Sequence, residues 1–162
     1  FMKSYYKPLV SVIIPIYNSE KYLSHTLDSL YNQTYSNFQV VYVNDGSTDS
    51  SEQIIKKYLR SNQDIYLFQK NKGVLRLAET LNYGLSKCDG ELVTMLPSDD
   101  LWPNYKLTDQ IDYFTDQSVV MVHGKMLLIN QFGSPLKIAK LPSSKYVFQI
   151  RGELGVAGVR VI

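Results

Sequence analysis

Two adjacent carboxylates, Asp99 and Asp100, follow the apolar run Leu92-Val93-Thr94-Met95-Leu96, separated from it only by Pro97 and Ser98. Carboxylates at the end of a buried segment are costly to hold without positive charge nearby. A hard divalent cation answers that need. Mg²⁺ and Mn²⁺ are commonly held by one or two carboxylates, with phosphate and water oxygens completing the shell. The same pair also suits the cap of a helix beginning near Pro103, and the residues alone leave both readings open. Asp45 follows Phe38-Gln39-Val40-Val41-Tyr42-Val43-Asn44 and precedes Gly46 and Ser47. Its carboxylate can accept from a ring N–H or a ribose hydroxyl, and Gly46 permits close backbone approach. Asn-Asp-Gly-Ser is equally ordinary turn chemistry. Asn71 and Gly73 bracket Lys72 ahead of a helix, with Arg76 close behind. A helix start with cations suits an anionic phosphate, and solvated charge is the alternative. Pro15, Tyr17 and Asn18 stand after the first apolar run and complete the set.

These segments share one position: each follows a run that reads as a buried strand. Strands are expected near 10–15, 39–44, 65–69, 92–96 and 119–123, because both faces of these runs are apolar. Between them lie helical stripes. Tyr22, Leu23, Thr26, Leu27 and Leu30 form the first, with Ser19 as its expected N-cap. Asp49 is placed to cap the second, which carries Ile54, Ile55, Tyr58 and Leu59. The third runs from about Val74 to Ser86, and the fourth starts at Pro103 with Leu107, Ile111 and Phe114. Such alternation implies an α/β protein, with a mainly parallel sheet between helices on both faces. Ligands of open α/β sheets bind beyond the carboxyl ends of the strands, where these polar segments converge. After Lys125 the alternation stops, and Asn130-Gln131-Phe132-Gly133-Ser134 reads as the turn of a hairpin. Val156-Ala157-Gly158-Val159-Arg160-Val161-Ile162 is strand-like and ends without a polar tail, so a shortened chain is expected.

Length and composition bound the remaining possibilities. The 162 residues suit a single domain, and 44% apolar residues can bury a core. A net charge of +2, with the basic residues scattered, argues against a nucleic-acid partner. The single cysteine, Cys88, excludes an internal disulfide and fits a reducing compartment. The expected location is the cytoplasm, including the inner face of the membrane. No apolar run reaches the roughly 20 residues needed to span a bilayer.

Read together, the segments resemble family 2 glycosyltransferases. Val10-Ser11-Val12-Ile13-Ile14-Pro15-Ile16-Tyr17-Asn18 is similar to the family's opening strand and turn, and Val43-Asn44-Asp45-Gly46-Ser47-Thr48-Asp49 to its nucleotide loop. Asn71-Lys72-Gly73 with Leu81-Asn82-Tyr83-Gly84 resembles the third block; Gly90-Glu91-Leu92-Val93 leading to Ser98-Asp99-Asp100 resembles the metal motif. The resemblance implies a GT-A fold, a Rossmann-like three-layer sandwich. It also implies a nucleotide-diphosphate-sugar donor, UDP-linked for preference, and a Mn²⁺ or Mg²⁺ cofactor. A saccharide or lipid-linked saccharide acceptor and inversion at the sugar follow in the same way. Pro15, Tyr17, Asn18, Asp45, Gly46, Ser47, Asn71, Gly73, Arg76, Ser98 and Asp99 are implied as donor-binding residues, and Asp99 and Asp100 as metal ligands. One GT-A-like domain over 1–162 is expected, with nucleotide binding in about 9–125 and an incomplete acceptor side in 126–162.

Three departures qualify the match. Pro97 stands where the family has its first metal-motif Asp. The stretch from Asn71 to Asn82 is longer by about one helical turn, which puts the aim of Arg76 at phosphates in question. Glu153 is the only acid after Asp116, so the catalytic base is expected beyond Ile162. A catalytically incomplete nucleotide-sugar-binding module is the alternative. A dinucleotide-binding dehydrogenase would need glycines after its first strand, where Ile16-Tyr17-Asn18-Ser19 stands.

Overall fold

The computed structural model describes residues 7–59, 64–70, 76–124 and 127–136, and the backbone of 160–161. Its elements run in chain order as β1 (Val10–Ile16), α1 (Leu23–Tyr31), β2 (Phe38–Asn44), α2 (Ser51–Tyr58), β3 (Ile65–Phe68), α3 (Leu77–Leu85), β4 (Leu92–Met95), α4 (Lys106–Ile111) and β5 (Arg160–Val161). A short 3-10 turn, Asp112–Thr115, continues α4.

Every pairing in the sheet is parallel, in the order β3-β2-β1-β4-β5. β1, β2 and β4 bury residues on both faces, while the edge strand β3 is only half-buried. On β1, Val10, Val12, Ile14 and Ile16 join one core with Leu23, Leu27 and Leu30 of α1, Ile55 of α2, and Leu107 and Ile111 of α4. Ile13 faces the opposite core with Val41, Val43 and Val93, covered by Leu81 and Leu85 of α3. Helices therefore cover both faces, as the α/β expectation required. Gly84 lets α3 lie close: a Cβ there would sit 2.7 Å from Ile13 Cγ2 and 3.0 Å from Val43 Cγ2.

Three expectations change. Residues 119–123 do not form the fifth strand; β5 is at 160–161, parallel to β4. The apolarity of that earlier run reflects burial, since Val119 and Val122 pack into the larger core, while pairing there is limited to an isolated bridge at Met121. Ser19 does not cap α1 with its side chain; α1 begins at Leu23, and the Ser19 hydroxyl bonds Ser98 Oγ instead at 2.7 Å. Helix α4 begins at Lys106, past Pro103, whose carbonyl accepts from the Lys106 amide. The hairpin turn is present, with Ile129 bridged antiparallel to Pro135. Strand-like 156–159 and the glycines there lie outside the described residues, as does Glu153. No helix among the described residues is long and apolar enough to cross a membrane.

Candidate functional site

The strand order reverses between β1 and β4, so the loops leaving these strands part and open a crevice. A cleft of about 280 Å³ lies there. From the sequence-derived set it takes in Pro15, Tyr17, Asp45, Ser98 and Asp99.

Asp45 directly follows β2, and its amide donates to Ile16 O at 2.8 Å. It is only 8% exposed. Gln69 Nε2 donates to Asp45 Oδ1 at 2.9 Å and to Thr80 Oγ1 at 2.8 Å, and the Thr80 hydroxyl donates to Asp45 Oδ2 at 3.4 Å. A carboxylate offers about four lone-pair sites, so two acceptances leave room for a ligand donor. Gly46 follows at φ +72°, the left-handed region that favours glycine.

The loop after β1 is zipped to the loop after β2. Asn18 adopts φ +47°, which asparagine tolerates better than most residues. Asn18 Oδ1 accepts from the Thr48 amide at 2.8 Å, and the Asn18 amide donates to Ser47 Oγ at 3.1 Å. The Glu20 amide donates to Asp49 Oδ2, and the Ser50 amide to Glu20 Oε2. Burial pushes the Asp49 carboxyl up, but hydrogen bonds from Ser51 and from the Glu20 amide outweigh it and hold the group below its ordinary value. Asn18 and Ser47 therefore tie these two loops together and do not line the cleft; Gly46 does not line it either.

Ser98 is held from two sides: its hydroxyl meets Ser19 Oγ, and its carbonyl accepts from Thr26 Oγ1 at 3.0 Å. Asp99 and Asp100 project from the turn closed by Asp100 N donating to Pro97 O, and both are exposed. Asp99 lines the cleft and Asp100 does not. Burial, then the negative charge of Asp99, push the Asp100 carboxyl above its ordinary 3.8. Two hard carboxylates that repel each other fit a Mg²⁺ or Mn²⁺ ion, which relieves the repulsion. Among the described residues no group of three His, Cys, Asp or Glu side chains could hold a metal by itself, so a bound ion would draw further oxygens from its ligand. The raised Asp100 value also has a stability consequence. The folded state is penalised once pH rises from 3.8 through the raised value, and not below. Asp100→Asn is expected to raise the thermal midpoint at neutral pH without metal, and to leave it unchanged near pH 3. Melting curves across that range check this; a midpoint difference that ignores pH refutes it.

Arg76 does not line the cleft: it pairs with Glu79 Oε1 at 3.2 Å, one turn along α3. Asn71 and Gly73 lie outside the described residues. Trp102 is half-buried against the larger core, with Lys106 Nζ 4.0 Å from its ring centroid, and is not part of the cleft. Burial pushes the Lys106 amine down to about 8.

Sequence reasoning missed Leu77, Thr80 and Met95, which line the cleft, and Gln69, which reaches Asp45. Leu77 and Met95 are 50% and 41% exposed, and with Tyr17 they give the cleft an apolar wall. Exposed apolar side chains gathered at one crevice mark ligand sites. A signal existed for Met95, which ends a strand at the rim. None existed for Thr80 and Gln69, which meet Asp45 only through the fold.

Known proteins resemble this chain in sequence and fold. The chain is 36% identical to an uncharacterized glycosyltransferase of Haemophilus influenzae over 133 residues, 81% of this chain and 52% of that protein. The S. aureus TarS structure in complex with UDP superposes with a TM-score of 0.60 at 33% identity, over 70% of this chain and 34% of that one. A mannosyltransferase, PcManGT of Pyrobaculum calidifontis, solved with GDP-Man and Mn²⁺, gives 0.63 at 27% identity, over 75% of this chain and 37% of that one. The chain thus spans about half the length of the curated relative and about a third of each solved one. The GT-A fold expected from the motifs is the fold found. The profile described as glycosyl transferase family 2 matches residues 11–157, and the chain belongs to that family.

Proposed function

We propose that this chain is the donor-binding part of a metal-dependent, inverting glycosyltransferase. It takes a sugar from a UDP-sugar to a hydroxyl of a saccharide or lipid-linked saccharide. The observation that carries this reading is the crevice at the β1/β4 switch point, lined by the buried Asp45 carboxylate, the exposed Asp99 and an apolar wall. Residues 9–125 serve the nucleotide within a single GT-A domain, and 126–162 begin the acceptor side. The relatives' greater length supports placing the base in chain beyond this stretch.

Each residue has a task set by its chemistry. Asp45 accepts from an N–H of the base or a hydroxyl of the ribose. Tyr17, Leu77 and Met95 cover the flat base and take its apolar faces out of water. Asp99, with Asp100 beside it, would hold Mg²⁺ or Mn²⁺, which when bound supplies positive charge against the departing diphosphate. Ser98, fixed by Ser19 and Thr26, keeps the acidic turn in place. Pro97 lines the cleft where the family places a carboxylate, which favours a second reading, a nucleotide-sugar-binding module without transfer. Turnover by a protein containing this chain at relatives' full length separates the two.

Asp45→Asn keeps the shape and removes an ionised acceptor. Calorimetric titration with UDP, at fixed Mn²⁺, is expected to show binding weaker by about 1–3 kcal/mol. Equal affinity in a variant with an unchanged melting midpoint would remove Asp45 from the site.

A further inference from the structure

We propose that Gln69 and Thr80 are positioning residues that set base selectivity by fixing the direction in which Asp45 accepts; this rests on the nucleotide site proposed above. The Gln69 amide has two N–H hydrogens and both are committed, one to Asp45 Oδ1 at 2.9 Å and one to Thr80 Oγ1 at 2.8 Å. A flipped amide would set its carbonyl against the carboxylate, so the Asp45 contact dictates the orientation. Thr80 Oγ1, having accepted from Gln69, turns its own hydrogen toward Asp45 Oδ2 at 3.4 Å. The three side chains close a ring of three hydrogen bonds, two of which end on the carboxylate. Thr80 is 2% exposed and Asp45 8%, so water does not substitute for these bonds.

The ring joins elements far apart in the chain. Asp45 follows β2, Gln69 follows β3, and Thr80 is on α3. Gln69 N donates to Asn44 O at 3.0 Å, which pins the backbone on which the amide stands. Thr80 and Asp45 both line the cleft, so the ring forms part of the cleft wall. A carboxylate held this way presents only acceptor sites to a ligand. It pairs with a base edge bearing a ring N–H, as in uracil, and is mismatched to cytosine, whose corresponding ring nitrogen is an acceptor. Losing the Thr80 hydroxyl frees the carboxylate to turn and relaxes that distinction.

The test is competitive titration of the 162-residue chain with UDP and CDP in Mn²⁺, for the unaltered chain, Thr80→Val, Thr80→Ser and Gln69→Met. The unaltered chain is expected to prefer UDP. Thr80→Val and Gln69→Met should each shrink the UDP-to-CDP affinity ratio by about five- to tenfold, within the net range of an ordinary hydrogen bond. Thr80→Ser should restore the ratio. A purely structural role would lower the melting midpoint without moving the ratio. An unchanged ratio in both folded variants, or a loss that Thr80→Ser does not rescue, overturns the inference while leaving the nucleotide site standing. Absence of any nucleotide binding by the unaltered chain removes that site and this inference with it.

Discussion

Gly90→Ala is expected to cost about 3 kcal/mol, at the upper end of ordinary overpacking, and to lower the melting midpoint by about 6 to 12 °C. A Cβ at Gly90 would sit 2.6 Å from Leu9 O, 2.7 Å from Ser11 N and 2.8 Å from Ser11 Oγ. Two of these neighbours are backbone atoms of the chain entering the central strand, so they cannot move aside without disturbing β1. The position is also tied by hydrogen bonds. Gly90 N donates to Ser11 Oγ at 2.9 Å, Ser11 Oγ donates to Gln39 Oε1 at 2.6 Å, and Asp89 N donates to the same Gln39 oxygen at 2.7 Å. This buried knot joins the starts of β1 and β2 to the turn before β4, and broken buried bonds leave polar groups unsatisfied. Shifting β4 also moves the acidic turn, so UDP binding should weaken along with stability. Gly84→Ala should be milder, because its obstacles are the side-chain ends of Ile13 and Val43. Thermal melts of both variants check the order; a Gly90→Ala midpoint within a degree or two of the unaltered chain would show that the turn relaxes freely.

The second large effect concerns the metal. UDP and Mn²⁺ are expected to bind with positive coupling, each tightening the other by the same factor, about tenfold or more. The protein offers Asp99 and Asp100 but no third metal-ligating side chain beside them among the described residues, and Pro97 occupies the usual place of another acid. The diphosphate makes up the shortfall in oxygens. Asp99→Ala should abolish the coupling. Asp100→Ala should only weaken it, because Asp100 does not line the cleft and its amide closes the turn onto Pro97 O. Calorimetry of UDP with and without Mn²⁺ reads this directly, once the metal's own affinity for free UDP is subtracted. Matching titrations, or coupling that survives Asp99→Ala, would reduce the acidic pair to a turn.

Much of the frame was legible in the residues. The strands at 10–16, 38–44, 65–68 and 92–95 follow from runs apolar on both faces; three of them are covered on both sides, and 65–68 is a half-buried edge. Strands alternating with helices then dictate parallel pairing, and parallel pairing brings Pro15, Tyr17, Asp45, Ser98 and Asp99 to one rim, where the cleft lies. What remained hidden depends on partners distant in the chain. Apolarity at 119–123 reports burial, with pairing limited to a single bridge at Met121; the edge of β4 is taken by 160–161. Asn18 gives its carbonyl oxygen to the Thr48 amide, and Arg76 pairs with Glu79, two partnerships the sequence does not announce. Gln69 and Thr80 carry no local signal, because their bonds to Asp45, 24 and 35 positions away, are made by the pairing of β3 with β2 and by the packing of α3 on the sheet. The sequence by itself determined which residues stand at strand ends, because periodicity and burial are local properties of the chain. The tertiary structure alone decided which of those residues are free to meet a ligand, because a side chain's remaining hydrogen-bonding capacity depends on neighbours that only folding supplies.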